Sequence, residues 1–148
     1  MIRRTSSTDL LIPFLLAVVL SYLLLRWAYE SLPPFQWFIA LPIAALAAVE
    51  FVIANRVRGA VRHKLQARPM TALAVARAVA LGKASALVAA LMAGAAVGLV
   101  IQVLPDSSRT SAAGHDLRVG LVVLLATVLL AAAGLLLERA GIDPNRGR

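Results

Sequence analysis

A chain of 148 residues has room for one domain, and 61% of it is hydrophobic against 15% charged, with a mean hydropathy of +0.86. Soluble domains carry about a quarter charged residues, so this balance excludes an ordinary soluble globule and points to a surface that faces lipid. The absence of cysteine excludes disulfides, thiolate metal sites and cysteine nucleophiles, while the net charge of +8 needs either an anionic partner or a topological explanation.

A bilayer core of about 30 Å takes about 20 apolar helical residues, and four stretches supply them. The expected fold is all-α: a polytopic membrane protein, a single-domain bundle of four transmembrane helices, N-in and C-in. The first span covers about 10–26. Arg3 and Arg4 precede it like a signal-peptide n-region, but Tyr29 and Glu30 follow where a cleavage site wants small residues, so it reads as a retained signal-anchor. Trp27, Tyr29, Phe35, Trp37 and Phe38 cluster around the Ser-Leu-Pro-Pro turn at 31–34. Such rings favour the headgroup level, which makes spans one and two a tight antiparallel hairpin with an outer turn.

The second span covers about 36–55, with a kink expected at Pro42. It holds Glu50, the only acidic residue well inside an apolar span. At 1.5 Å per residue Glu50 lies about 20 Å below Trp37, in the inner leaflet. A carboxylate there needs a partner, a proton or water. The candidate polar cluster is Glu50 with Lys83, Arg77 and Asn55, with Ser85 as a further polar neighbour, and Lys83 is the preferred partner. Two readings stand: a Glu50–Lys83 pair that registers helix two against helix three, or a coupling carboxylate in a transport cycle.

A basic loop at 56–71 follows, with Arg56, Arg58, Arg62, Lys64 and Arg68. Val57, Val61 and Leu65 recur within it at four-residue spacing, one face of a short helix. Basic residues also occupy the N-terminal tail (Arg3, Arg4), the start of the third helix (Arg77, Lys83) and the C-terminal tail (Arg139, Arg146, Arg148). These lie on one side of the expected topology and only Arg26, Arg109 and Arg118 on the other. The positive-inside rule assigns the first group to the cytoplasm. Topology thus accounts for the charge, and without aromatics for base stacking the loop does not read as a nucleic-acid site.

From Thr71 to Leu104 there is no proline, so one helix of about 50 Å is expected, with a span at 84–104 and a cytoplasmic extension from about 72. Small residues recur at Ala78, Gly82, Ala86, Ala90, Gly94 and Gly98. Small-xxx-small patterns allow close helix approach in lipid, so Ala90, Gly94 and Gly98 are expected to form an intramolecular seam, with homodimerisation as the alternative. The counterpart on span four, at 117–137, is Gly120, Thr127 and Gly134. Between these spans, 106–114 reads as a flexible polar connector. Asp116 is expected to cap span four, with Gly141 a left-handed C-cap ahead of Pro144.

His63 and His115 lack metal-ligand spacing, and Asp106, His115 and Asp116 make only a weak constellation. There is no phosphate loop, nucleophile elbow or intramembrane HExxH, so no catalytic, cofactor or metal role is expected. The run from Arg77 to Ser85 (RAVALGKAS), continuing through Ala90 to Gly94 (ALMAG), resembles the third-helix signature of an actinobacterial membrane family, domain of unknown function 3180. The Arg68–Pro69 step and Leu137-Glu138-Arg139 are also similar to it. The resemblance implies four helices and genes that often neighbour those for folate biosynthesis.

The functional expectation is a non-enzymatic accessory or scaffold protein of the plasma membrane, in contact with lipid, whose basic loop docks a protein at the cytoplasmic face. The alternative is a small-solute or ion transporter that acts as a homo-oligomer through Glu50.

Overall fold

The computed structural model describes residues 5–33, 35–61 and 70–141. These form four helices and, among the described residues, no strand. All four helices are long and apolar enough to cross a membrane, so by length and composition this is a membrane protein.

Helix α1, Ser7–Ala28, opens where the backbone N–H of Ser6 donates to Asp9 Oδ2 at 2.9 Å. That contact satisfies a free donor and puts a carboxylate at the positive end of the dipole. Two 3₁₀ turns follow, Tyr29–Ser31 and Trp37–Ile39. Helix α2 is Ala40–Val61. Pro42 is its third residue, where the missing N–H is one that no helix can pair. The expected kink inside the span is therefore replaced by a helix start.

Helix α3, Ala72–Val103, runs unbroken for 32 residues, about 48 Å. Thr71 caps it, its hydroxyl accepting from Ala74 N–H at 3.3 Å. After the 3₁₀ turn Leu104–Asp106, helix α4 is Ser111–Ala140. Its cap is Thr110, whose hydroxyl accepts from Ala113 N–H at 3.3 Å. Asp116 therefore sits inside the helix rather than capping it, and the second half of the expected connector is already helical. Gly141 is the C-cap, but at φ −84° and ψ −4° it is right-handed. Space, not a left-handed turn, explains the glycine there, since a Cβ would run into the Val79 side chain.

The helices pack in the order α1–α3–α4–α2, with only light contact between α2 and α3. Thr5 and α4's last turn meet at one end of the bundle, where Thr5 N–H donates to Glu138 Oε1 at 2.6 Å. This is called the terminal end, and the opposite one, with both short connections, the connector end. Among the described residues α1 and α2 do not pack against each other, which corrects the expected hairpin. Their connection is instead tied to α4. The Tyr29 hydroxyl donates to Asp116 Oδ2 at 2.6 Å, and His115 Nε2 donates to the Phe35 carbonyl at 3.1 Å.

Glycines decide which helices approach. At the α3–α4 crossing a Cβ on Gly82 would lie 2.6 Å from the Gly134 carbonyl oxygen, and a Cβ on Gly134 2.6 Å from the Gly82 carbonyl oxygen. Gly94 and Gly98 face α1 instead. A Cβ on Gly94 would strike the Phe14 carbonyl and lie 2.8 Å from Ala17 Cβ, and one on Gly98 would lie 2.8 Å from Ser21 Cβ. Ser21 also donates to the Ala95 carbonyl at 3.0 Å. The expected match of Gly94 and Gly98 with Gly120, Thr127 and Gly134 is thus not the one formed. Gly120 faces Leu99 and Val100, and Ala90 and Thr127 are buried. Gly82 and Gly94 are twelve residues apart, about 120° around a helix of 3.6 residues per turn. One stripe therefore serves two partners.

Candidate functional site

Three places in this bundle carry chemistry. The first is the terminal end. Arg56 in α2, Arg77 in α3 and Arg139 in α4 are exposed there, and Arg58 is half-buried. The last turns of α2 and α4 pack around the first turns of α3, where Val57 and Ala54 meet Ala78, Leu137 and Ala140. Three helices therefore deliver guanidinium groups to one end. The remaining basic-loop residues, Arg62, Lys64 and Arg68, lie outside the described residues.

The second place is Glu50. The buried residues of α2 are Ala40, Ile43, Ala47, Glu50, Ala54 and Val57, which step by three and four alternately, the spacing of a coiled-coil seam. Glu50 thus occupies a core position, and its side chain is fully buried. The layer on one side joins Ala47 to Ala89 and Ala133, and the layer on the other joins Ala54 to Leu137. Ser85 of α3, also buried, is its polar neighbour. Neither carboxylate oxygen has a hydrogen-bond partner among the described residues, so the expected bond from Lys83 is not formed. The reason is angular: Lys83 stands two residues before Ser85, about 160° away around α3. Asn55 and Arg77 are exposed, so the expected four-residue cluster does not assemble. The three-four pattern through Glu50 was readable in the sequence, and it would have placed Glu50 on the helix's packed face.

The third place was not expected as a site. At the connector end Tyr29, Leu32, Pro33 and Phe35 meet Ser111, Ala112, His115 and Asp116 around a cavity of about 470 Å³. Asp116 is 5% exposed. Tyr29 donates to its Oδ2, while its Oδ1 is buried with no hydrogen-bond partner among the described residues. Burial first, then the hydrogen bond to Asp116 and the charges of Asp116 and Asp106, push the Tyr29 phenol up to about 12. Asp106 itself holds Arg109 at 3.5 Å. Tyr29 and Asp116 are separated by 87 positions, so no local motif announces this pairing.

The family described as "Protein of unknown function (DUF3180)" matches residues 10–144. No curated protein and no solved structure matches the chain.

Proposed function

The chain belongs to the DUF3180 family, and we propose that it is a non-enzymatic accessory protein of the plasma membrane that docks a protein partner at a basic cytoplasmic end. The observation that supports this reading is the convergence of Arg56, Arg58, Arg77 and Arg139 from three helices on the terminal end. By the positive-inside rule that end is cytoplasmic, which puts both termini and the basic loop on the same side. Arginine suits an acidic partner, because its planar fork pairs bidentately with carboxylates. The test is native purification in mild detergent with quantitative mass spectrometry, on wild type and on Arg58→Gln with Arg77→Gln. Topology is verified by tag accessibility. At intact topology, recovery of a stoichiometric partner should fall about tenfold for two neutralised charges. Undiminished recovery refutes docking at this end.

A second reading rests on Glu50, a fully buried carboxyl in a packed transmembrane seam, with Ser85 as its polar neighbour and no ion-pair partner among the described residues. Ionisable groups inside the membrane are costly and commonly functional. In this reading the chain is a homo-oligomeric transporter of a small solute or ion, with Glu50 as the coupling carboxyl. Glu50→Gln keeps the shape and removes the titration. In reconstituted vesicles it should abolish flux driven by a proton gradient while leaving thermal stability near wild type. Vesicles of wild-type protein without such flux, or a Glu50→Gln protein that transports normally, count against it.

A further inference from the structure

Neither reading uses the cavity at the connector end. Its volume of about 470 Å³ falls among small-ligand pockets, which bury an apolar body and fix its orientation with a few polar groups. Here Tyr29, Leu32, Pro33 and Phe35 supply the apolar and aromatic wall, and Asp116 the polar anchor. The anchor is half used: Tyr29 Oη occupies Oδ2, and Oδ1 is buried with no partner among the described residues. An ionised carboxylate only accepts hydrogen bonds, so what completes it is a donor. Of the cations of this end, Arg109 pairs with Asp106, Arg26 donates to the Tyr22 hydroxyl at 3.4 Å, and the exposed Arg118, two residues beyond Asp116, stands about 160° away around α4. His115 donates its Nε2 hydrogen to the Phe35 carbonyl.

The geometry points to a binding site for a primary ammonium group, with its N–H on Asp116 and its charge beside the rings of Tyr29 and Phe35. Rings attract cations through their negative faces, and Leu32 and Pro33 accommodate the attached carbon chain. The terminal torsion of a carboxylate is soft, so the ammonium and Tyr29 can share its two oxygens. Two sources carry this chemistry, the headgroup of an aminophospholipid and a free amine. Both reach this end, since the exposed Trp27, Trp37 and Phe38 around it favour the headgroup level.

The test uses the full-length protein in nanodiscs of phosphatidylcholine and phosphatidylglycerol, titrated calorimetrically with benzylamine at neutral pH. Benzyltrimethylammonium, which has no N–H, is the control. Benzylamine should bind saturably and the control should not. Asp116→Asn should abolish binding, and Phe35→Leu should weaken it about two- to fivefold. Tyr29→Phe keeps the carboxylate and frees Oδ2, so it should bind at least as tightly as wild type; this arm decides the matter if Asp116→Asn fails to fold. Phosphatidylethanolamine in the discs separates the sources. If the headgroup is the ligand, it raises the melting temperature and competes with benzylamine; if a free amine is, it does neither. The proposal is overturned if wild type neither binds benzylamine nor responds to phosphatidylethanolamine, or if folded Asp116→Asn binds as wild type does.

Discussion

Two hydrogen bonds tie the connection between α1 and α2 to α4, and the shorter of them has a measurable signature. Tyr29 donates to Asp116 at 2.6 Å, so ionising the phenol places two negative charges in contact and removes the donor. The phenol is accordingly raised from 10.0 to about 12. A folded-state pKa above the unfolded one means that the contribution to stability is fully present below pH 10 and is lost as pH rises from 10 through about 12. Tyr22→Phe leaves Tyr29 as the sole tyrosine, and its phenolate absorbance should then titrate near 12. Adding Asp116→Asn should lower that midpoint without returning it to 10, because burial is the largest cause and survives the substitution. A midpoint that does not move would mean that the Asp116 carboxylate does not hold the phenol.

Among the elements, what was legible and what was not divides along a physical line. Hydropathy fixes where helices cross because every unpaired backbone group in lipid is costly, so four spans could be read from composition alone. Glu50 was legible as the one acidic residue that this pattern does not tolerate. Helix ends were less so. Asp116 is a good cap by residue type, but Thr110 takes that role and α4 gains a turn and a half before Asp116 is reached. Side-chain direction was the weakest point. Lys83 is close to Glu50 in depth but stands on another face of α3, while Ser85 faces it. A small-residue stripe says that something approaches closely without saying what, since lipid offers no hydrophobic reason to prefer one helix partner over another. The choice of α1 for Gly94 and of α4 for Gly82 is made in three dimensions, through the angle between the two glycines.

For the whole molecule, the order α1–α3–α4–α2 makes the bundle a central pair with one helix laid on each side, and the two kinds of glycine should fail differently. Gly134→Val forces a side chain into the Gly82 backbone, where no rotamer can yield, and this crossing lies between layers shared by α2, α3 and α4. Overpacking of this kind costs at least about 1–3 kcal/mol, and the whole core bears it. Gly94→Val meets the Phe14 backbone and strains only the seat of α1, which is already the least buried of the four helices. Because the chain has no cysteine, introduced pairs report proximity without background. In otherwise wild-type protein, cysteines at Ser21 and Ala95, which a hydrogen bond joins across the α1–α3 contact, should cross-link in membranes. Gly94→Val should suppress that link yet preserve one between α3 and α4, engineered at Val100 and Gly120, where a Cβ would lie 3.1 Å from Val100 Cγ2. Gly134→Val should lower thermal stability and weaken the α3–α4 link. Equal loss of both links in the Gly94 variant would mean that α1 is not a separately seated helix but part of one cooperative core.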